Sequence, residues 1–324
     1  MKKIILLSMC MLVLPFSSVL ASNEENTQKT TIDQLKDKGI NIPENSLLFR
    51  DDISETRKNI MREESKLIND YLNEMYDARA KARVIDNRLK DERDELMKSE
   101  IATLEAERNQ LFNKFTNMSR NFSYNLGFEE VTTSSEDSTM SIADTHSGMV
   151  GKSVSKIYYS SDSNAYVAWG DFAWIDNQWM NDLPGTRYGY DIGGYDGFYI
   201  GIEEDIDPVS AYFRTTSNEG NSTNWSCDLC AGDRDWTPNG WHIKWQDSFE
   251  PYPSEYNTDS GYGHIYFTFD NSPLGENITS YMGYGHTWEN TSISSISVGP
   301  YSGGFSWHNQ GENWDDEVFE NTQY

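Results

Sequence analysis

Three carboxylates, Glu203, Asp205 and Asp207, follow the apolar run Phe198-Tyr199-Ile200-Gly201-Ile202. If the strand predicted by that run continues, side chains alternate and all three acids share one face. Paired carboxylates on a sheet are what glycoside hydrolysis needs, one as acid and one as nucleophile. Glu203, Asp205 and Asp207 are therefore the candidate catalytic set. The ten tryptophans offer a different chemistry, and all of them lie beyond residue 155. Aromatic faces beside amides and carboxylates suit a sugar ring or a peptide, because C–H faces stack while polar groups hydrogen-bond. Trp174, Trp179, Trp236 and Trp241 lie among Asn, Asp, Gly or Pro in predicted turns and are the candidate ligand-binding residues.

Two acidic loops, one holding Asp191 and Asp196 and the other Asp233 and Asp235, place oxygen ligands beside flexible turns. They could hold calcium, although neither fits the EF-hand loop, so the cofactor expected is none or calcium. Gly261-Tyr262-Gly263-His264 recurs as Gly283-Tyr284-Gly285-His286, and His242, His264, His286 and His308 stand 22 residues apart. The four histidines form a transition-metal site if the sheet gathers them, but HxH and HExxH spacings are absent, which favours isolated polar positions. There is no GxSxG elbow for a serine nucleophile. Cys227 and Cys230 stand in a CxxC pair without a βαβ pattern, and in an exported chain they predict a small structural disulfide. The run Glu203-Glu204-Asp205-Ile206-Asp207 resembles the acidic strand of the jelly-roll laminarinase and agarase family. It departs from that pattern at its last residue and at Pro208. The resemblance implies a carbohydrate-active hydrolase.

The elements that must position these residues divide the chain in two. Residues 1–21 read as a secretory signal: Lys2 and Lys3, an apolar run, then Val19-Leu20-Ala21. No later segment has the ~18 to 20 apolar residues of a membrane helix. Residues 22–43 are polar, broken by Gly39 and Pro43, and read as a flexible lead-in. Residues 44–126 contain neither Gly nor Pro and are rich in helix formers. Their apolar seam runs through Ile53, Ile60, Leu67, Tyr71, Ala78 and Ile85, then resumes from Met97 to Met118, with Leu89 and Leu96 out of phase between. Such a narrow seam must be covered, by copies of itself in a coiled coil or by folding back near the register break. The pattern favours a homo-oligomer through 44–126. Residues 127–155 read as a Ser/Thr/Asp-rich linker, and 156–324 as an aromatic-rich acidic β domain with short strands between Gly-rich turns. The fold class expected is α + β in separate domains: a long coiled-coil-like helix, then an antiparallel all-β sandwich or jelly-roll-like domain.

Charge narrows the partners. The formal net charge is −26, and beyond residue 150 six basic residues face 26 acidic ones. Such a surface repels phosphate backbones and anionic lipid, which argues against nucleic acid. The pattern points to a secreted, periplasmic or extracellular binding protein, adhesin- or lectin-like. In this reading an oligomeric helical stalk presents a β head to a polysaccharide, glycan or other cell-surface ligand. The alternative is a secreted carbohydrate-active hydrolase using the carboxylates, and a further one is a secreted toxin or effector.

Overall fold

The computed structural model describes residues 30–131, 143–146, 150–175, 190–225, 232–251, 254–270, 277–288, 291–308 and 313–323. The signal-like residues 1–21, Trp179, Cys227, Cys230 and the polar stretch 132–142 lie outside them. Helices come first: α1 (Ile32–Asp37), α2 (Glu55–Asp91), α3 (Lys98–Arg120) and α4 (Phe122–Leu126). The strands that follow are β1 (Glu129–Glu130), β2 (Ala143–His146), β3 (Val150–Val154), β4 (Tyr158–Ser160), β5 (Ala165–Trp174), β6 (Tyr190–Ile202), β7 (Ile206–Thr216) and β8 (Ser222–Asn224). They continue as β9 (Gly232–Thr237), β10 (Gly240–Pro251), β11 (Ser254–Tyr256), β12 (Ser260–Phe269), β13 (Asn277–Thr287), β14 (Ser292–Val298), β15 (Gly303–His308) and β16 (Asn313–Gln323).

The strands form antiparallel sheets. The first runs β1-β4-β5-β12-β7-β8, with β3 also on β5 and β2 on β3; the second runs β11-β10-β6-β13-β16, with β9 also on β10. Strands β14 and β15 make a separate hairpin. The two large sheets face each other across a core that includes Phe172, Phe198, Phe213, Trp241, Trp245, Ile265 and Tyr284. Here the expected antiparallel sandwich stands. A second core joins the other face of the first sheet to the helices, and a third joins the second sheet to the β14–β15 hairpin. The molecule therefore has four layers: helices, sheet, sheet, hairpin.

Alternation along β5 shows how one sequence serves two cores. Tyr166, Ala168, Phe172 and Trp174 point between the sheets, while Ala165, Val167, Trp169 and Asp171 point toward the helices. All ten residues of the strand are buried. The repeated Gly-Tyr-Gly-His runs follow the same logic. The glycines leave bare backbone where a ring approaches closely, from the facing sheet at Gly263, where a Cβ would come within 2.7 Å of the Phe198 ring, and from the paired strand at Gly283, where it would come within 2.3 Å of the Tyr199 ring.

The helical region departs from the expected coiled coil. Residues 44–126 form no single helix; the chain leaves helical geometry between Asp91 and Lys98, beside the out-of-phase Leu89 and Leu96, and α3 returns along α2. Ion pairs Lys114–Glu74 at 2.7 Å and Arg108–Asp86 at 3.0 Å mark the face of α2 turned to α3. Tyr71, Ala78 and Ile85 of the predicted seam lie along that face. A second stripe, Met61, Ile68, Leu72, Met75 and Tyr76, packs on the first sheet. Part of the seam is thus covered within the chain, while Leu67 and Met97 stay exposed, and helices and strands share a core instead of forming separate domains. The lead-in is packed too: Leu35, Ile40 and Ile42 are buried, and Asn41 exchanges two backbone hydrogen bonds with Ala211. Within the predicted linker, β3 is a central part of the first sheet's edge, with Val150 and Val154 in the core.

Burial obliges the polar groups of this interface to pair. Arg79 bonds Asp171, which also accepts from Tyr76 Oη at 2.9 Å. Arg83 grips Asp259 with both prongs, Nε to Oδ2 at 2.8 Å and Nη2 to Oδ1 at 3.0 Å. Asp77 receives Arg214 at 2.7 Å, and Asn73 Oδ1 accepts from Tyr212 and Tyr262 at 3.1 and 2.7 Å. Glu64 accepts from the Ser160 and Tyr266 hydroxyls, and burial raises its pKa above the usual carboxylate range. His264 is an exception. It is wholly buried against Tyr212, neither ring nitrogen has a hydrogen-bond partner among the described residues, and burial pushes its pKa down to about 3.

Two outcomes follow from this interface. Arg83→Ala leaves the Asp259 carboxylate, 2 % exposed, without its cation; urea unfolding should register a loss of about 3 kcal/mol or more, and a change within 0.5 kcal/mol would show the pair to be incidental. For His264 the unfolded chain takes up a proton below about pH 6.5 that the folded chain refuses down to about pH 3, so this residue makes stability fall as pH falls through that window. In His264→Phe the difference in unfolding free energy between pH 7 and pH 5 should shrink by about 2 kcal/mol, and an unchanged difference would contradict a neutral, unpaired imidazole.

Candidate functional site

The candidate site forms where the two sheets end beside the lead-in. Asn41 ties them together: its backbone pairs with Ala211 of β7, and its Oδ1 accepts from Trp236 Nε1 of β9 at 3.4 Å. Next along the chain, Ser46 Oγ donates to Val209 O at 2.7 Å. That carbonyl is available because the β7–β12 register shifts there, leaving Val209 as the bulge. The lead-in thus covers the edge of β7, and a cleft of about 410 Å³ opens between it and the β9–β10 hairpin. Asn41, Pro43, Glu44 and Asn45 line one side, and Arg234, Asp235, Trp236 and Trp241 the other.

The two tryptophans are cross-strand partners, so they stand on the same face of the sheet. Trp241 is fully buried in the inter-sheet core, and its indole N–H has no hydrogen-bond partner among the described residues. Trp236, at the edge strand, stays half-buried, with Asp235 Oδ1 accepting from its backbone N–H at 2.8 Å. A ring held by its polar end, with two Asn amides and charges of both signs around it, can stack on a small polar ligand and bond its hydroxyls.

The other sequence-predicted residues do not converge here. Trp174 is 1 % exposed and packs edge-on to Tyr284 and His286, so the expectation of a turn-borne Trp174, like that of a turn-borne Trp241, is corrected by burial inside a strand. Trp179 lies outside the described residues, as do Cys227 and Cys230. Glu203, Asp205 and Asp207 do not share a strand face, because β6 ends at Ile202 and β7 begins at Ile206. Each acid is bound into the turn's surroundings: Glu203 Oε2 accepts from Thr279 Oγ1 at 2.9 Å, Asp205 Oδ1 from Asn239 at 3.2 Å, and Asp207 pairs with Arg50 at 2.8 Å. Of the four calcium candidates, Asp191 and Asp235 are exposed on different strands, Asp233 lies on β9, and Asp196 is buried between the sheets. The acidic segments therefore lie in strands, and the described side chains of Asp191, Asp196 and Asp235 do not gather in one oxygen cage.

Asp196 keeps company that the sequence did not announce. Beside it lie His286, Asp247, Tyr284 and Tyr256, all at or near zero exposure. Burial, then the neighbouring Asp196 charge, pushes the Asp247 carboxyl well above the usual carboxylate range. The 22-residue histidine spacing does not return the residues to equivalent places: His264 faces the helices from the first sheet, while His286 lies between the sheets on β13.

No family model matches the chain, and no curated protein matches it. Among solved structures, the chain is similar to ACE19, the collagen-binding subdomain of the Enterococcus faecalis surface protein ACE, at 8 % identity and TM-score 0.27, covering 50 % of this chain and 89 % of that one. A collagen-binding domain from a Staphylococcus aureus adhesin matches at 8 % identity and TM-score 0.23, covering 48 % and 88 %. A family 9 carbohydrate-binding module from Caldicellulosiruptor kristjanssonii, in complex with cellotriose, matches at 14 % identity and TM-score 0.16, covering 45 % and 61 %. Likeness at these scores carries no ligand or activity over to this chain.

Trp241 and Trp236 should separate cleanly on substitution. Trp241→Ala opens a void in the inter-sheet core and should cost about 3 to 5 kcal/mol in chemical denaturation. Trp236→Ala should cost clearly less, and equal losses would place Trp236 in the core as well.

Proposed function

We propose that this chain is an exported binding protein whose β sandwich engages a polysaccharide or another surface ligand in the cleft at Trp236. The observation that carries this reading is the half-buried Trp236 ring, held at the cleft by Asn41 and surrounded by Glu44, Asn45, Arg234 and Asp235. An aromatic platform with a few convergent polar groups is the usual composition of a sugar site. The acidic surface keeps such a protein soluble and away from anionic polymers. The reading as a hydrolase is weaker, because Glu203, Asp205 and Asp207 are separated by a turn and tied to structural partners. The stalk of the sequence reading becomes a helical brace on the back of the first sheet, so the head needs no oligomer to complete it.

The test is a screen of the full chain against polysaccharides, oligosaccharides and fibrous proteins such as collagen, followed by titration of the best ligand. Trp236→Ala should weaken binding by about 2 kcal/mol or more, roughly thirty-fold. Asn45→Ala should weaken it less, and both variants should keep a cooperative unfolding transition. If Trp236→Ala binds as tightly as the wild type, the cleft is not the site. Release of shortened glycan products by the wild type, abolished in Glu203→Gln or Asp205→Asn, would establish the hydrolase instead.

A further inference from the structure

Three neighbouring strands of the second sheet, β10, β6 and β13, send Asp247, Asp196 and His286 into the space between the sheets. His286 Nδ1 lies 2.9 Å from Asp196 Oδ2 and 3.8 Å from Asp247 Oδ2, and the three donor atoms lie within 4.8 Å of one another. We propose that Asp196, Asp247 and His286 form a buried structural site for a divalent transition-metal cation, with zinc the best match to one imidazole nitrogen and carboxylate oxygens.

Distance supports the assignment first. Donors about 2.0 to 2.1 Å from a tetrahedral zinc stand about 3.3 Å apart, a value bracketed by the two separations at His286 Nδ1. Charge supports it next. Two carboxylates are withdrawn from water, and among the described residues the basic group paired with either of them is the His286 imidazole. A dication with two carboxylates and a neutral imidazole closes the charge balance, which burial otherwise makes costly.

The surroundings are those of a metal site. Asp247 Oδ1 is buried with no hydrogen-bond partner among the described residues, which suits it to act as a further donor. The other carboxylate oxygens are oriented from behind: Tyr256 Oη donates to Asp247 Oδ2 at 2.9 Å, Tyr284 Oη to Asp196 Oδ2 at 3.1 Å, and the Thr287 N–H to Asp196 Oδ1 at 3.0 Å. Such outer contacts fix ligand geometry in metal sites. Trp174 and Trp288 close the imidazole off with edge-to-face contacts at 5.0 and 4.9 Å. The β6–β10 ladder slips beside the cluster, Gln246 pairing with Tyr195 but Ser248 with Asp191, with Gly193 at φ +55° in the extra stretch of β6. Bulges of this kind re-aim side chains near functional groups. A nitrogen donor in an enclosed site disfavours calcium, which collects six to eight oxygens.

The experiment measures metal in the full chain produced with zinc and purified without chelator. Elemental analysis should find one zinc per chain, retained in Asp191→Asn, an exposed acid on the same strand, and lost in Asp247→Asn and His286→Gln. If either core variant fails to fold, wild-type chain produced with cobalt decides: the visible absorption of tetrahedral Co2+ with nitrogen and oxygen ligands supports the site, and its absence overturns it. Wild-type chain without bound metal, or zinc retained in both core variants, also overturns it.

Discussion

The structure depends on a sheet with no free face. Strands β5, β7 and β12 carry one core toward the second sheet and another toward the helices, and β5 has no exposed residue along its length. Water is then scarce for polar side chains on either face, so apart from exceptions such as His264 they are answered by neighbouring layers. Helix α2 answers through a charged and hydroxylated stripe that continues its apolar one: Glu64, Ser65, Asn73, Asp77, Arg79 and Arg83 each meet a partner on the sheet. Apolar packing alone would let a helix slide by a turn; this ladder of specific pairs allows one register. The position of the helix in turn sets where the lead-in crosses β7, and with it the wall of the cleft.

The second sheet solves a similar problem with rings and gaps. Its outer face meets the β14–β15 hairpin through Tyr199, Tyr281 and Phe305, and the glycines between them make room for the rings. Tyr199 donates to Glu317 and Tyr281 to the Gly299 carbonyl, so each phenol buries its ring and still satisfies its hydroxyl. Trp174 and Trp241, which look like binding residues in the sequence, are likewise rings packed between layers, in the inter-sheet core.

The sandwich was readable because strand alternation and Gly-rich turns are local signals. The helix fold-back was half readable: Leu89 and Leu96 marked the register break, yet no Gly or Pro announced a turn. The sheet-facing stripe of Met61, Ile68, Leu72 and Met75 lay a few positions from the chosen seam and was hidden by it. Such a helix has two apolar faces, and a sequence with two faces reads as one seam plus noise. Trp236 and Trp241 share turn-like neighbours in the sequence, yet both stand in strands, one half-buried on the edge strand and the other fully buried on the strand beside it, a difference that depends on pairing and not on local composition. The Asp196, Asp247 and His286 cluster depends on three strands far apart in sequence, and only the spacing of the Gly-Tyr-Gly-His runs touched it.

The contacts that seat the helices have a consequence for how the chain reaches this state. Glu64 bonds Tyr266 across 202 residues, Arg83 bonds Asp259 across 176, and Asn41 bonds Trp236 across 195. Closing such long loops precedes any return from the contacts they make, so assembly is slow and non-local. The helical hairpin precedes the whole sheet in sequence, and its docking surface is complete only once β12 lies between β5 and β7. Until then its sheet-facing stripe lacks its full cover, and the arginines and carboxylates beside that stripe favour its hydration. The charges that later lock the register thus serve first as a guard against premature association.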